Sequence, residues 1–182
     1  QVAYPSNAED AAGLLRAALR GDDPVMFFEH RAMLDAASAR RAYPGDEYVL
    51  PFGRGRIVRE GQSLTIVAWG AMVERCEAAA EQVGKSIEII DLRTIVPWDE
   101  EMVLASVRKT ARCLIVHEDF ELVGFGAEIA AAVVRDAFLD LDAPVQRLAA
   151  PSVPVPFNTN LMDGMIPRID QIRERIEWLL AF

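Results

Sequence analysis

The stretch VHEDFELVGFGAEIAA, residues 116–131, contains a histidine followed by two carboxylates, and a Gly-Phe-Gly turn comes after four further residues. A histidine at the end of a strand can act as a general base, and Glu118 or Asp119 could tune its pKa. The segment offers no second base and no nucleophile beside His117, which favours a structural role. We therefore predict that His117 caps a strand and hydrogen-bonds the loop that follows.

Two other kinds of site fit parts of this stretch, but each lacks a required residue. The letters HEDFE lack the second histidine of a His-Glu-x-x-His zinc motif. The letters GFG lack the third glycine of a dinucleotide-binding loop. Gly124 and Gly126 are therefore predicted to allow close backbone packing where the chain enters a helix.

Composition limits the possible partners and compartments. The 182 residues are 52% hydrophobic and carry a net charge of −9, which disfavours nucleic acid as a partner because phosphate binding needs a basic face. No apolar run approaches the roughly 20 residues that cross a bilayer, and no secretion signal is visible. Cys76 and Cys113 lie in apolar patterns and are predicted to be buried, reduced thiols. These features predict an acidic cytoplasmic protein.

The first 30 residues have the pattern of a strand, a helix and a strand. VAYP is typical of a strand end, and Ser6 with Glu9 predicts a capping box before the helix DAAGLLRAALR, which Gly21 ends. PVMFFEH predicts a fully apolar buried strand. A unit of this kind normally has earlier strands beside it, so we expect residues 1–35 to be the end of a truncated domain and residues 36–47 to be a linker.

From residue 48 onward, buried strands alternate with amphipathic helices. This order predicts an α/β fold, a three-layer α/β/α domain over 48–182 with a mostly parallel five-stranded sheet. The first of these strands arrives through the linker and is the expected antiparallel member. The predicted segments, in order, are YVLPFG with GRIVREG, SLTIVAWG, AMVERCEAAAEQVG, SIEIIDLR, DEEMVLASVRKT opened by Asp99, RCLIVHED, GFGAEIAAAVVRDAFLDL, APVQRLAA and PRIDQIRERIEWLLAF.

Several of these sequence segments occur in the same order in one known family. They include LPFGRGRIVREG, IEIIDLRTIVPWDEE, VHED, GFGAEIAA and LDAPVQRLAAPSVPVPF. The chain resembles the beta subunit, or the beta half of a fused chain, of the thiamine-diphosphate-dependent decarboxylase component of 2-oxo acid dehydrogenase complexes. The pyruvate and branched-chain enzymes are the nearest in pattern. The resemblance implies the end of a pyrimidine-binding domain followed by a transketolase-like C-terminal domain.

The resemblance also implies which parts of the chemistry lie elsewhere. In the family, the glutamate that activates the cofactor and the histidine that serves the lipoyl substrate lie upstream of the matching region. The motif that holds diphosphate and magnesium belongs to the alpha part. We therefore expect thiamine diphosphate and magnesium in the intact parent, no catalytic or cofactor-binding residue in this chain, and no activity from the chain alone. Residues 116–131 would then serve packing and assembly.

The resemblance suggests one ion site and shows two departures from the family. Where family members bind a potassium-type ion, the matching stretch AALRGDD would place it at Ala18, Leu19, Gly21 and Asp23. Family members often have an aspartate at the position of Gly21. They often have a glycine where Val123 stands, so we expect a stiffer loop after His117.

The last helix suggests partners. Ile172, Ile176, Leu179 and Leu180 are spaced as an apolar stripe that faces the core, and Trp178 and Phe182 lie near the edge of that stripe. Aromatic side chains at such an edge favour association with a partner. The resemblance implies a homodimer through the C-terminal domain, an alpha partner, and an acyltransferase component with a lipoyl domain. We predict that Trp178 and Phe182 lie at the twofold surface. The alternative is that both rings complete the core of the monomer.

Two other functions stay open from the residues alone. The chain could be a non-catalytic interaction module, or it could come from a relative of transketolase or deoxyxylulose-phosphate synthase. GFGAEI and LDAPVQR favour the dehydrogenase branch. The residues that select the 2-oxo acid lie outside this chain.

Overall fold

The computed structural model describes residues 1–182. Its regular elements alternate between strands and helices over most of the chain. In order they are β1 (Val2–Ala3), α1 (Ala8–Arg20), β2 (Met26–Phe27), β3 (Arg56–Arg59), β4 (Leu64–Ala68), α2 (Met72–Val83), β5 (Ile87–Asp91), β6 (Thr94–Val96), α3 (Glu100–Thr110), β7 (Cys113–Phe120), α4 (Gly126–Ala137), β8 (Gln146–Ala150), α5 (Thr159–Met165) and α6 (Ile169–Leu180).

The large sheet has five strands in the order β3-β5-β4-β7-β8. The four strands β5, β4, β7 and β8 pair in parallel, and only β3 is antiparallel to its neighbour β5. This confirms the mostly parallel sheet and the antiparallel first strand. β4, β5 and most of β7 are buried, as expected for strands covered on both faces.

Two helical layers cover the sheet, which confirms the α/β/α architecture. On one face, α2 and α6 pack on alternate residues of β4, β5 and β7, and this cluster includes Ile66, Ile89 and Ile176. On the other face, α3 and α4 pack around Ile90 and Ile115. Cys76 and Cys113 are free and buried in these clusters, as predicted.

A second, smaller sheet joins the N-terminal segment to the rest of the chain. Its order is β2-β1-β6, with β1 parallel to β2 and antiparallel to β6. Between β2 and β3 the chain has no strand and forms only two 3-10 turns, Arg31–Met33 and Ala37–Ala39. The N-terminal segment therefore shares a sheet with residues that follow β5.

Two local predictions in the N-terminal segment are wrong. Helix α1 is capped by Asn7, whose side chain accepts from the Asp10 amide, so Ser6 and Glu9 form no capping box. The Ser6 hydroxyl instead donates to the buried carboxylate of Asp91. The segment PVMFFEH, predicted to be a fully buried strand, contributes only the two paired residues of β2. Because β2 is an edge strand, Met26 is 62% exposed.

Two other helix ends agree with the predictions from the sequence. Asp99 caps α3 by accepting from the Met102 amide, and Gly21 ends α1, both as predicted. The short elements β6 and α5 were not predicted. None of the helices has the length and apolar character that crossing a membrane would need.

Candidate functional site

His117 lies inside the protein rather than at an open catalytic edge. It is fully buried within β7, which continues to Phe120, so it does not cap the strand as predicted. Its ring stacks on Trp69 with centroids 5.1 Å apart and planes 8° from parallel. Neither ring nitrogen has a hydrogen-bond partner, so the predicted bond to the following loop is wrong. Burial lowers the pKa of His117, which keeps the ring neutral. The side chain acts as a flat packing element.

The Gly-Phe-Gly turn allows this burial. A Cβ atom on Gly126 would lie 2.4 Å from His117 Nε2, and one on Gly124 would lie 2.1 Å from the carbonyl oxygen of Phe120. Phe125, between the two glycines, meets the Trp69 ring edge-on at 6.0 Å. The prediction of close backbone packing at both glycines is confirmed.

Glu118 points to the opposite side of the sheet from His117, since neighbouring strand residues alternate. Its Oε1 lies 3.0 Å from His30 Nε2, and its Oε2 accepts from the Tyr4 hydroxyl at 3.3 Å. The hydrogen bond to Glu118 raises the pKa of His30, and burial together with the Glu118 charge raises that of Tyr4. A second histidine therefore stands beside this stretch, although the sequence reading found none.

Sequence reasoning missed Tyr4 and His30 because both are far from Glu118 along the chain. One available signal was that His30, like His117, follows an apolar strand-like run. When two strands end on the same side of a protein, the residues at their ends can lie close together although they are distant in sequence. The cluster joins the N-terminal segment to the end of β7.

A second buried cluster joins the same two parts of the chain. Asp10 on α1 pairs with Arg93 at 3.1 Å and with Arg56 at 3.6 Å. Arg56 also lies 3.4 Å from Asp91, which is fully buried and accepts from the Arg93 amide at 3.0 Å. Burial raises the pKa of Asp91 to about 6. These charges have partners within the protein and are not free to bind a ligand.

The residues proposed to bind a potassium-type ion lie at the end of α1 and just after it. The Ala18 carbonyl accepts from the Gly21 amide at 3.4 Å, and Asp23 accepts from the Gln1 side chain at 3.2 Å. Leu19 is 78% exposed. The ion site stays a prediction.

The aromatic pair at the end of α6 is partly exposed. Trp178 is 43% and Phe182 58% exposed, and their rings meet edge-on with centroids 4.7 Å apart. The guanidinium of Arg175 lies 5.9 Å from the Trp178 ring centre. The pair therefore does not complete the core of this chain, and its place at a twofold surface stays a prediction.

The loop after β7 contains a strained residue. Val123 has a φ of 64° and is 91% exposed. A β-branched residue in this left-handed region is an outlier, because its Cβ crowds the following carbonyl. The stiffness of the loop stays a prediction.

Replacing Val123 with glycine is expected to raise the free energy of unfolding by about 1 kcal/mol, because glycine removes a left-handed cost of roughly 1–2 kcal/mol and loses little burial. Urea denaturation measures the change. The matched control is Leu122→Gly, since Leu122 is also exposed and has no positive φ. A Val123→Gly variant no more stable than the parent would show that the strain is absent.

The residues of this chain do not fit a thiamine diphosphate and magnesium site. The buried carboxylates Asp10 and Asp91 are held by arginines, and Glu88 is held by Lys109. No group of three or more histidine, cysteine or carboxylate side chains is arranged to hold a metal ion.

The structure is an α/β domain whose mostly parallel sheet is covered by helices on both faces. Buried ion pairs hold the N-terminal segment against this domain. Residues 53–172 match the family described as "Transketolase, C-terminal domain". The chain belongs to this family.

Relatives of known name are beta subunits of 2-oxo acid dehydrogenases. The chain is 40% identical over 98% of its length to 2-oxoisovalerate dehydrogenase subunit beta 2, mitochondrial, of Arabidopsis thaliana, and covers 51% of that protein. It is 37% identical over its whole length to pyruvate dehydrogenase E1 component subunit beta of Staphylococcus aureus, and covers 56% of it. The chain thus spans about half the length of these relatives. The resemblance found in the sequence is confirmed.

A solved structure shows the same fold over the whole chain. It is titled "Split gene transketolase, inactive beta4 tetramer" and matches with a TM-score of 0.78 at 21% identity. It covers 100% of this chain, which covers 57% of it. At this identity the match supports the fold alone.

Proposed function

We propose that this chain forms the C-terminal half of the beta part of a thiamine-diphosphate-dependent 2-oxo acid dehydrogenase decarboxylase component. The observation that carries the proposal is the 40% identity over 98% of the chain with a 2-oxoisovalerate dehydrogenase beta subunit. The parent protein decarboxylates a 2-oxo acid and reductively acylates a lipoyl domain of the acyltransferase component. Its cofactor is held by the alpha part and by beta residues outside this region.

In this proposal the 182 residues serve assembly and are inactive alone. The buried corner around His117 makes a rigid platform, and the two polar clusters fix the N-terminal segment against it. The parent is proposed to be cytoplasmic. The transketolase-relative alternative is less favoured, because the relatives described above are dehydrogenase subunits.

The test compares the parent protein, prepared with its alpha partner, with the 182-residue chain. With thiamine diphosphate, magnesium and either pyruvate or 2-oxoisovalerate, the assembly should reduce an artificial electron acceptor, and the chain alone should not. Calorimetric titration of the chain with thiamine diphosphate and magnesium should show no binding. An inactive full assembly would reject the enzymatic proposal. A micromolar dissociation constant for thiamine diphosphate and the chain alone would reject the proposal that the cofactor is held outside this region.

We further propose that Trp178 and Phe182 lie at the twofold surface of a homodimer where the acyltransferase's small basic domain also docks. Two partly exposed aromatic rings at a helix end supply large contact area, and the net charge of −9 suits a basic partner.

Trp178→Ala combined with Phe182→Ala is expected to convert the dimer to a monomer, because truncating aromatic anchors at an interface typically costs 2 kcal/mol or more each, and two together raise the dissociation constant by roughly 10³-fold. Light scattering over a concentration series measures this. The control is Phe138→Ala, which removes a ring that is 64% exposed at the end of α4. A double variant that stays dimeric and still binds the acyltransferase domain would remove the helix end from partner binding.

A further inference from the structure

A cavity of about 640 Å³ opens at the carboxyl edge of the large sheet. Its walls come from the ends of β7 and β8, the first turn of α2, the turn Arg31–Met33 and the segment that contains α5. Ligand sites in parallel α/β sheets form where connecting segments diverge beyond the carboxyl ends of the strands. The volume lies within the range of small-molecule sites.

Most of the wall is apolar and adaptable. Ten of the sixteen lining residues are hydrophobic, and three of these are the methionines Met33, Met162 and Met165. Methionine side chains are flexible and polarizable, so they fit apolar bodies of different shapes. The wall therefore suits an aliphatic or aromatic group without selecting one shape.

The polar part of the lining carries an excess of negative charge. Glu118 is held by His30 and Tyr4, so its carboxylate is fixed in place. The charged residues that line the cavity are Glu74, Glu118, Asp119, Asp163, Arg75 and His30. Even with His30 protonated, four carboxylates face two cations. Arg75 is already used, since it donates to the Pro167 carbonyl at 2.9 Å.

We propose that this cavity binds a small amphipathic amine, with its apolar body among the methionines and its ammonium group near Glu118. The excess carboxylates attract a cation and repel a carboxylate ligand of the same shape. A fixed carboxylate in an otherwise mostly apolar wall gives the ligand a preferred orientation. This site involves none of the residues at the end of α6, and it shares Glu118 and His30 with the cluster that holds the N-terminal segment.

Methionine methyl groups provide a direct test on the unaltered chain. The chain has six methionines, of which three line the cavity and three, Met26, Met72 and Met102, do not. The chain is labelled at the methionine methyl carbons and titrated with hexylamine, hexan-1-ol or hexanoate at pH 7. Hexylamine should shift the signals of Met33, Met162 and Met165 and leave the other three in place. Shifts only outside the cavity, or none at millimolar amine, would overturn the proposal.

Two variants test the charge and the cavity separately. Hexylamine should bind at least about 10-fold more tightly than hexanoate, and Glu118→Gln should reduce that preference about 5-fold without changing hexan-1-ol binding. Glu128→Gln on the surface of α4 is the matched control. Ala36→Trp, which fills the cavity, should weaken all three probes, and Leu139→Trp, at a 95% exposed position outside it, should not. Equal binding of amine and carboxylate would reject the charge selection.

Discussion

Gly126→Ala is expected to lower the free energy of unfolding by about 3 kcal/mol, the upper end of the usual cost of overpacking a buried site. The added Cβ would lie 2.4 Å from His117 Nε2, 2.6 Å from its Cδ2 and 3.2 Å from Ile115 Cγ2. The imidazole cannot move away easily, because it is fully buried and stacked on Trp69. A single methyl group therefore has to displace either the ring or the start of α4.

Urea denaturation measures this loss, and two comparisons identify its cause. Gly164→Ala in α5 meets nothing within 4 Å and should be neutral or slightly stabilising. The double variant Gly126→Ala with His117→Ala should lose less than the sum of the single variants by at least about 1 kcal/mol, because residues in contact are coupled. Additive losses would show that the imidazole is not what the methyl group meets.

The large sheet was predictable because its signals are local. β4, β5 and β7 are apolar runs separated by amphipathic helices, and this alternation alone implies parallel pairing with right-handed crossovers. The antiparallel β3 was expected because the four later strands already accounted for the parallel pattern. By contrast, β6 and α5 are short, and their sequences have too few residues to show a period.

The polar clusters were not predictable, because their members are distant in sequence. His30 and Glu118 are 88 residues apart, and Ser6 and Asp91 are 85 apart. Ser6 had a sufficient local explanation as a helix cap, and the tertiary contact with Asp91 overrode it. His117 was expected to cap a strand, but β7 continues to Phe120, and the burial of His117 against Trp69 depends on packing across two loops.

The Asp91 cluster makes stability depend on pH in an unusual direction. Burial raises the pKa of Asp91 from 3.8 to about 6, although the Ser6 hydroxyl and Arg56 oppose the rise. The folded chain therefore binds more protons than the unfolded chain between these two pH values. The contribution of Asp91 to stability is fully present below about pH 4 and is lost as pH rises through 6.

Asp91→Asn removes this dependence, so the difference in unfolding free energy between the parent and the variant is expected to fall by about 2 kcal/mol from pH 4 to pH 7, given 1.36 kcal/mol per pKa unit. Urea denaturation of both proteins across this range measures it. The exposed variant Asp22→Asn serves as the control for surface charge. Asp91 links β5 to the N-terminal segment through the Ser6 hydroxyl. A difference that is flat with pH, or that grows towards pH 7, would mean that Asp91 is ionised in the folded chain throughout and that Arg56 outweighs its burial.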